Sequence, residues 1–223
     1  MIKQLIAIWK GEPFIKKMVA KFGEMLDDAE IAFTCAWQAF LGQVTAEQLE
    51  RECHEKDAAI NDHEREIRRI LLEHLSLHPQ HDVSGCLVMM SMVKDAERIG
   101  DYSKNILEVG IMMEGKSKDM KFLKRLSATQ GKIADHFPKL RKAFLESDDN
   151  LARQLLDEYA PIKSECNSIL HDLFSEQLPT REAVATALIS RYLKRINSHM
   201  SNIASGIIYP LDQIDFVRGG ILE

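Results

Sequence analysis

The sequence predicts an all-α protein of six long antiparallel helices, arranged as two tandem, pseudo-symmetric three-helix bundles. Three observations support this fold class. Apolar residues recur at helical spacing along almost the whole chain. Glycine and proline are scarce, with 11 and 6 residues among 223, which disfavours a β-sandwich or barrel with many turns. The third helix of each half also ends in a similar string of residues.

Turn residues divide the first half into three predicted helices. Gly42 and Gly115 are expected to end the first and third of them. Thr45, with Gln48 three residues later, has the spacing of a capping box at the start of the second. These helices are expected over residues 13–40, 45–75 and 84–113, with a loop at 78–82.

The second half repeats this pattern. Its helices are expected over residues 119–145, from about 150 to 176, and 180–210. Pro138 and Pro161 fall inside the fourth and fifth helices, where kinks are expected. Residues 97–106 and 194–203 share Arg, Ile, Asn and Ile in register. We therefore predict two domains, residues 1–116 with a short N-terminal segment and residues 117–223.

Composition narrows the class of function. A net charge of −5 and a pI near 5.9 argue against a nucleic-acid surface. The four cysteines, Cys35, Cys53, Cys86 and Cys166, are far apart and are typical of small core residues in a reducing compartment. No signal peptide and no run of 18 apolar residues is visible, so we expect a cytoplasmic protein that meets membranes only through partners.

Two stripes of oxygen-bearing side chains form the candidate site. Glu97 and Asp101 lie four residues apart on one face of the third helix. Asp57, Asn61 and Glu64 form a similar stripe on the second helix, its antiparallel neighbour. Facing carboxylates in a helical bundle can hold a hard cation such as magnesium, calcium, manganese or iron.

Other interpretations of these stripes remain open. Nearby cations could pair with the carboxylates and make them an ordinary surface of a metal-free helical scaffold: Arg68, Lys94, Arg98 and Lys104. A carboxylate-bridged metal oxidase is a further alternative, although the third helix lacks the Glu-x-x-His motif that such bundles use. No activated nucleophile or poised base is visible, so we assign no catalytic residue and predict that the protein is not an enzyme.

Two strings resemble motifs of the PhoU family, at residues 93–106 (VKDAERIGDYSKNI) and 56–64 (KDAAINDHE). The resemblance implies a pair of three-helix bundles and acidic metal sites on their surface. It implies a divalent or trivalent ion, namely iron, manganese, magnesium or zinc. It also implies a signalling adaptor in phosphate homeostasis, between a phosphate transporter and a sensor kinase. By position, the metal ligands would be Glu97, Asp101, Asp57, Asn61 and Glu64.

The second half departs from the family's acidic pattern. Lys194 and Ser198 stand where the acidic pair is expected, and aligning the second helix of each half places Tyr159, Lys163 and Cys166 opposite them. We predict that this second site binds no metal, unless a shift in register brings in Asp157 or Glu158. The departure also allows a role beside a different phosphate transporter, such as a sodium-coupled one.

Two apolar features suggest further contacts. Residues 2–9 place Ile2, Leu5, Ile6 and Trp9 on one helical face, which we expect to pack on the bundle or on a second copy. The alternative is that this face lies on a membrane surface or docks to a transporter. A homodimer is also predicted, because one face of the third helix has more large apolar residues than one seam needs: Leu87, Met89, Met90 and Met92.

Overall fold

The computed structural model describes residues 13–43, 46–79 and 83–215. This part of the chain consists of α-helices, two short 3₁₀ turns and connecting loops. The α-helices are α1 (Pro13–Phe40), α2 (Ala46–Leu77), α3 (Val83–Met113), α4 (Leu123–Ala134), α5 (His136–Glu146), α6 (Asp149–Leu173) and α7 (Thr180–Ile208). The all-α fold class is thereby confirmed.

The first three helices lie within a few residues of their predicted bounds. Gly42 follows α1 with φ +61° and Gly115 follows α3 with φ +75°, so both occupy the left-handed region that favours glycine after a helix. The two glycines face each other, because a Cβ added to Gly42 would lie 2.8 Å from Cα of Gly115. The predicted capping residue Thr45 and the apolar segment 2–9 lie outside the described residues.

A kink was expected at Pro138 in the fourth helix, and this helix is interrupted three residues earlier, at Asp135, which separates α4 from α5. Pro138 is the third residue of α5, where a missing backbone N–H costs no intrahelical bond. The proline therefore fits inside the first turn of a new helix. Pro161, in contrast, lies within α6, which continues through it to Leu173.

The two halves share one hydrophobic core. The three helices of the first half pack on one another, α3 also packs on α7, and α1 packs on α5. Between α1 and α5, the Phe22 and Phe144 rings are 4.6 Å apart and the Phe33 and Phe137 rings are 5.5 Å apart. These aromatic pairs cross from one half to the other.

The methionine-rich face of α3 is largely used within the chain. Met89 and Met92 are buried, and a Cβ added to Gly206 of α7 would meet the Met92 side chain at 2.9 Å. Leu87 remains 45% exposed. The apolar excess that suggested a homodimer is thus partly explained by α7, and the homodimer stays a prediction.

A buried polar contact also joins α3 to α7. Asp95 is 8% exposed, and its Oδ1 lies 2.7 Å from Nδ1 of His199 and accepts a 3.1 Å hydrogen bond from Asn202. The Tyr102 ring stacks on the His199 imidazole at 5.6 Å. This contact sets the register of α7 against α3.

None of the helices in the described part is both long and apolar enough to cross a lipid bilayer.

Candidate functional site

The predicted stripes of α2 and α3 do face each other, and lysine side chains lie between them. Near one end, Lys104 Nζ is 3.4 Å from Asp57 Oδ2 and 3.7 Å from Asp101 Oδ1. Further along, Lys94 Nζ is 2.6 Å from Glu97 Oε2 and 3.8 Å from Glu64 Oε1. One carboxylate from each helix thus shares each ammonium group.

Two arginines complete the cluster from its edges. Arg68 Nη2 lies 2.8 Å from Glu64 Oε1, and Arg98 Nη1 donates to Asp101 Oδ2 at 3.1 Å. We call the whole set the carboxylate cluster, with four carboxylates and four cations: Asp57, Glu64, Glu97, Asp101, Arg68, Lys94, Arg98 and Lys104. Its formal charges balance, so a metal ion is not required to relieve repulsion between the acids.

The two glutamates are the most enclosed acids of the cluster. The side chains of Glu64 and Glu97 are 9% and 12% exposed, whereas that of Lys94 is 39% exposed. Glu64 Oε1 and Glu97 Oε2 are buried, and each is held in an ion pair, with Arg68 Nη2 at 2.8 Å and Lys94 Nζ at 2.6 Å respectively. These two enclosed carboxylates thus depend on the neighbouring cations for charge compensation.

Asn61 behaves differently from the four acids. Its Nδ2 donates to the backbone oxygen of Asp57 at 2.9 Å, so its amide is bonded within its own helix.

Sequence reasoning also missed an acid on α1. Asp28 accepts from Lys56 Nζ at 2.7 Å and lies 3.2 Å from Nε2 of His63. The acidic residues around Asp28 in the sequence could have indicated an ion pair on α1. The partners of Asp28, which lie on α2, could not be predicted, because they depend on how α1 and α2 pack.

The donor set of the carboxylate cluster suits a hard cation by its chemistry. Carboxylate oxygens are the ligands that magnesium, manganese and calcium prefer. In the arrangement of the described residues, no group of three or more acids, histidines or cysteines converges on one point. A cation would have to take the place of an ammonium group, and Lys94 and Lys104 are long, partly exposed side chains that can move into solvent.

The corresponding surface of the second half has a different chemistry. The hydroxyls of Tyr159 and Ser198 lie 3.2 Å apart, in the places that aspartates take in the first half. Lys194 Nζ donates to Asn167 Oδ1 at 2.8 Å. Burial raises the pKa of the Cys166 thiol to about 12, so that side chain stays neutral. The aligned positions Tyr159 and Ser198 thus lie close together, and the absence of a metal ion at this surface stays a prediction.

Glu158, an alternative ligand predicted for the second half, contacts His136 and Lys139. Its Oε2 lies 2.7 Å from Nε2 of His136 and 3.4 Å from Nζ of Lys139, beside a cavity of about 240 Å³. His136 is 3% exposed, and its burial lowers the pKa of the imidazole. Burial opposes ionisation of Glu158, but bonds from Gln154 and His136 lower the pKa of that carboxyl overall. This cavity is separate from the aligned positions.

The fold and the candidate site together define a class of protein, namely an all-helical protein with two similar halves and a charged cluster on facing helices. The PhoU domain model matches residues 15–110 and 130–207, which is most of the chain in two segments. The chain belongs to the PhoU family. The matched segments fall on either side of the predicted domain boundary at residues 116 and 117, which stays a prediction.

Individual relatives agree with this assignment. The chain is 25% identical over 214 residues to the phosphate-specific transport system accessory protein PhoU homolog 1 of Thermotoga maritima, covering 92% of this chain and 88% of that protein. PhoU from Pseudomonas aeruginosa has a similar fold, with a TM-score of 0.78 at 20% identity over 88% of this chain and 96% of that one. The phosphate transport system regulatory protein PhoU from Streptococcus pneumoniae has a TM-score of 0.72 at 18% identity, over 88% and 95% of the two chains.

Proposed function

We propose that this protein is a cytoplasmic regulator of phosphate transport, acting as an adaptor on a phosphate transporter, on a sensor kinase, or on both. The observation that carries the proposal is the match of both halves to the PhoU domain. The relative in Thermotoga maritima is named as an accessory protein of a phosphate-specific transport system. In this proposal the protein meets the membrane through its partners and forms a homodimer.

A regulatory role also agrees with the chemistry of the described residues. Burial raises the pKa of the Cys53 and Cys166 thiols to about 12, so neither is poised as a thiolate nucleophile. The carboxylates of the candidate site are engaged by cations. These features favour binding and conformational signalling over covalent catalysis.

Deleting the gene is expected to uncouple phosphate uptake from phosphate supply. Uptake of radiolabelled phosphate would be measured in cells grown with abundant and with limiting phosphate. The parent strain should show different rates in the two media, and the deletion strain should show nearly equal rates. Expression of the native chain should restore the difference. Unchanged regulation in the deletion strain would contradict the proposal.

The second part of the proposal concerns the carboxylate cluster. We propose that a hard cation, such as iron, manganese or magnesium, binds to the acids of this cluster in competition with Lys94 and Lys104. The enclosure of Glu64 and Glu97 on facing helices supports this idea, because a metal ion could take the place of the ammonium group that they share. The ion would supply fixed positive charge between α2 and α3, and these residues would hold those two helices at a set spacing.

Metal content tests this part directly. Protein purified without a metal-affinity step and then soaked with iron, manganese, zinc or magnesium should retain about one ion or more per chain, by analogy with carboxylate bundle sites. The double variant Glu97→Ala with Asp101→Ala should lose it, as measured by elemental analysis.

A matched control variant distinguishes the loss of metal ligands from a general loss of negative charge. Glu55→Ala with Asp62→Ala removes the same charge from exposed positions of α2 and should retain the metal. Equal metal in both double variants, or none in the native chain after soaking, would remove the metal from the proposal and leave the regulatory role in place.

A further inference from the structure

The second half carries a cluster of cations where the first half has its acids. Arg191, Lys194 and Arg195 are spaced i, i+3 and i+4 on α7 and therefore share one face. Lys163 approaches from α6, one turn before Asn167, the residue that accepts from Lys194 Nζ at 2.8 Å. We call these four cations the α6–α7 cationic cluster.

Three of these four cations contact neutral groups, as Lys194 does with Asn167. Arg195 Nε donates to the Tyr102 hydroxyl at 3.2 Å and its guanidinium lies 5.8 Å from the centre of that ring. Lys163 Nζ lies 5.7 Å from the centre of the Tyr159 ring. Within residues 13–43, 46–79 and 83–215, none of the four cations lies within ion-pairing distance of a carboxylate.

Arg125, another cation of the second half, is by contrast paired with carboxylates. Arg125 on α4 lies 2.7 Å from Glu165 and 2.6 Å from Asp172, so its charge is compensated on two sides. The whole chain has a net charge of −5, so an excess of cations at one place does not follow from composition.

Lys194 is the cation whose charged form this arrangement disfavours. The side chain is partly buried, and that burial lowers the pKa of its ammonium group. The charges of Arg191, Lys163 and Arg195 lower the pKa further. The folded protein thus holds like charges together around a desolvated amine, and an anion would remove this repulsion.

We propose that the α6–α7 cationic cluster binds a phosphate group, either free inorganic phosphate or the phosphate of a larger molecule. A phosphate dianion would neutralise two of the four charges. Arginine offers paired N–H donors that match phosphate oxygens, and lysine offers a strong point charge. The inference stands apart from the regulatory role and from a metal in the first half, because it depends only on residues of α6 and α7.

Binding of inorganic phosphate by the whole protein tests the proposal. Titration calorimetry at constant ionic strength, with chloride exchanged for phosphate, should detect binding at millimolar concentration or below. The variant Lys163→Gln with Lys194→Gln should bind at least about tenfold more weakly. The control Lys118→Gln with Lys124→Gln changes charge equally at exposed positions of the second half and should bind like the native chain.

Two further measurements identify the source of the phosphate and test whether the cluster variant is folded. Equal affinity for inorganic phosphate and polyphosphate would identify the free ion, and much tighter binding of polyphosphate would identify a phosphate carried on a larger molecule. Without phosphate, the Lys163→Gln with Lys194→Gln variant should melt at or above the native temperature, because repulsion is relieved. No binding by the native chain at tens of millimolar, or equal binding by the cluster variant, would overturn the proposal.

Discussion

Replacing Gly110 by alanine is expected to lower the free energy of unfolding by about 3 kcal/mol, the upper part of the range for overpacking. A Cβ at this position of α3 would lie 2.7 Å from the backbone nitrogen of Phe40 and 2.9 Å from the carbonyl carbon of Ala39, both on α1. These backbone atoms, near the adjoining ends of α1 and α3, cannot turn aside as a side chain can. The helices would have to separate, and the contacts around them would loosen.

Gly131→Ala is the matched control for this prediction. Gly131 lies inside α4, and a Cβ added there meets nothing within 4 Å. Its replacement should therefore raise stability by roughly 0.5 to 1 kcal/mol, because alanine has the higher helix propensity. Urea unfolding of the three proteins measures both changes. A destabilisation by Gly110→Ala of less than 1 kcal/mol would mean that α1 and α3 are less closely packed than the structure shows.

Helices were predictable because their signals are local. The period of apolar residues and the glycines at 42 and 115 lie in the sequence itself, and the structure confirms α1 and α3 within a residue or so. A kink at Pro138 was predicted, but the interruption lies three residues earlier, at Asp135. Its exact position could not be predicted, because it depends on how α5 packs against Phe22 and Phe33 of α1.

The acids of the carboxylate cluster and the four cations near them could be named from the sequence, but the contacts between helices could not. Spacing alone placed Glu97 and Asp101 on one face of α3 and Asp57 and Glu64 on one face of α2. Whether Lys94 reaches Glu97 on its own helix or also approaches Glu64 on the next one depends on the distance between helices. Asp28 on α1 and Asp95 at the contact with α7 were missed for the same reason, because their partners come from other helices.

Replacing Lys94 by methionine is expected to destabilise the protein by about 2 kcal/mol in the presence of a chelator. Removal of one partner from a buried ion pair commonly costs 3–5 kcal/mol, and the partial exposure of Lys94 reduces that figure. Methionine keeps the aliphatic part of the side chain, so the loss reports on the ammonium group. It leaves the enclosed carboxylates of Glu64 and Glu97 with one shared cation fewer.

A control variant and a metal titration are needed to interpret the stability change of Lys94→Met. Lys124→Met removes an exposed lysine of α4 and should change stability by no more than about 0.5 kcal/mol. If a cation competes with Lys94 for Glu64 and Glu97, manganese or magnesium should stabilise Lys94→Met more than it stabilises the native chain. The measurement is thermal unfolding with and without each metal.

The result decides how the carboxylate cluster works. A larger metal-induced stabilisation in Lys94→Met would show that lysine and metal exchange at one place, so that the spacing of α2 and α3 responds to the metal supply. Equal stabilisation of both proteins would show that metal does not enter between Glu64 and Glu97. The cluster would then be a permanent set of ion pairs, and signalling by this protein would have to begin elsewhere, with the α6–α7 cationic cluster as one candidate.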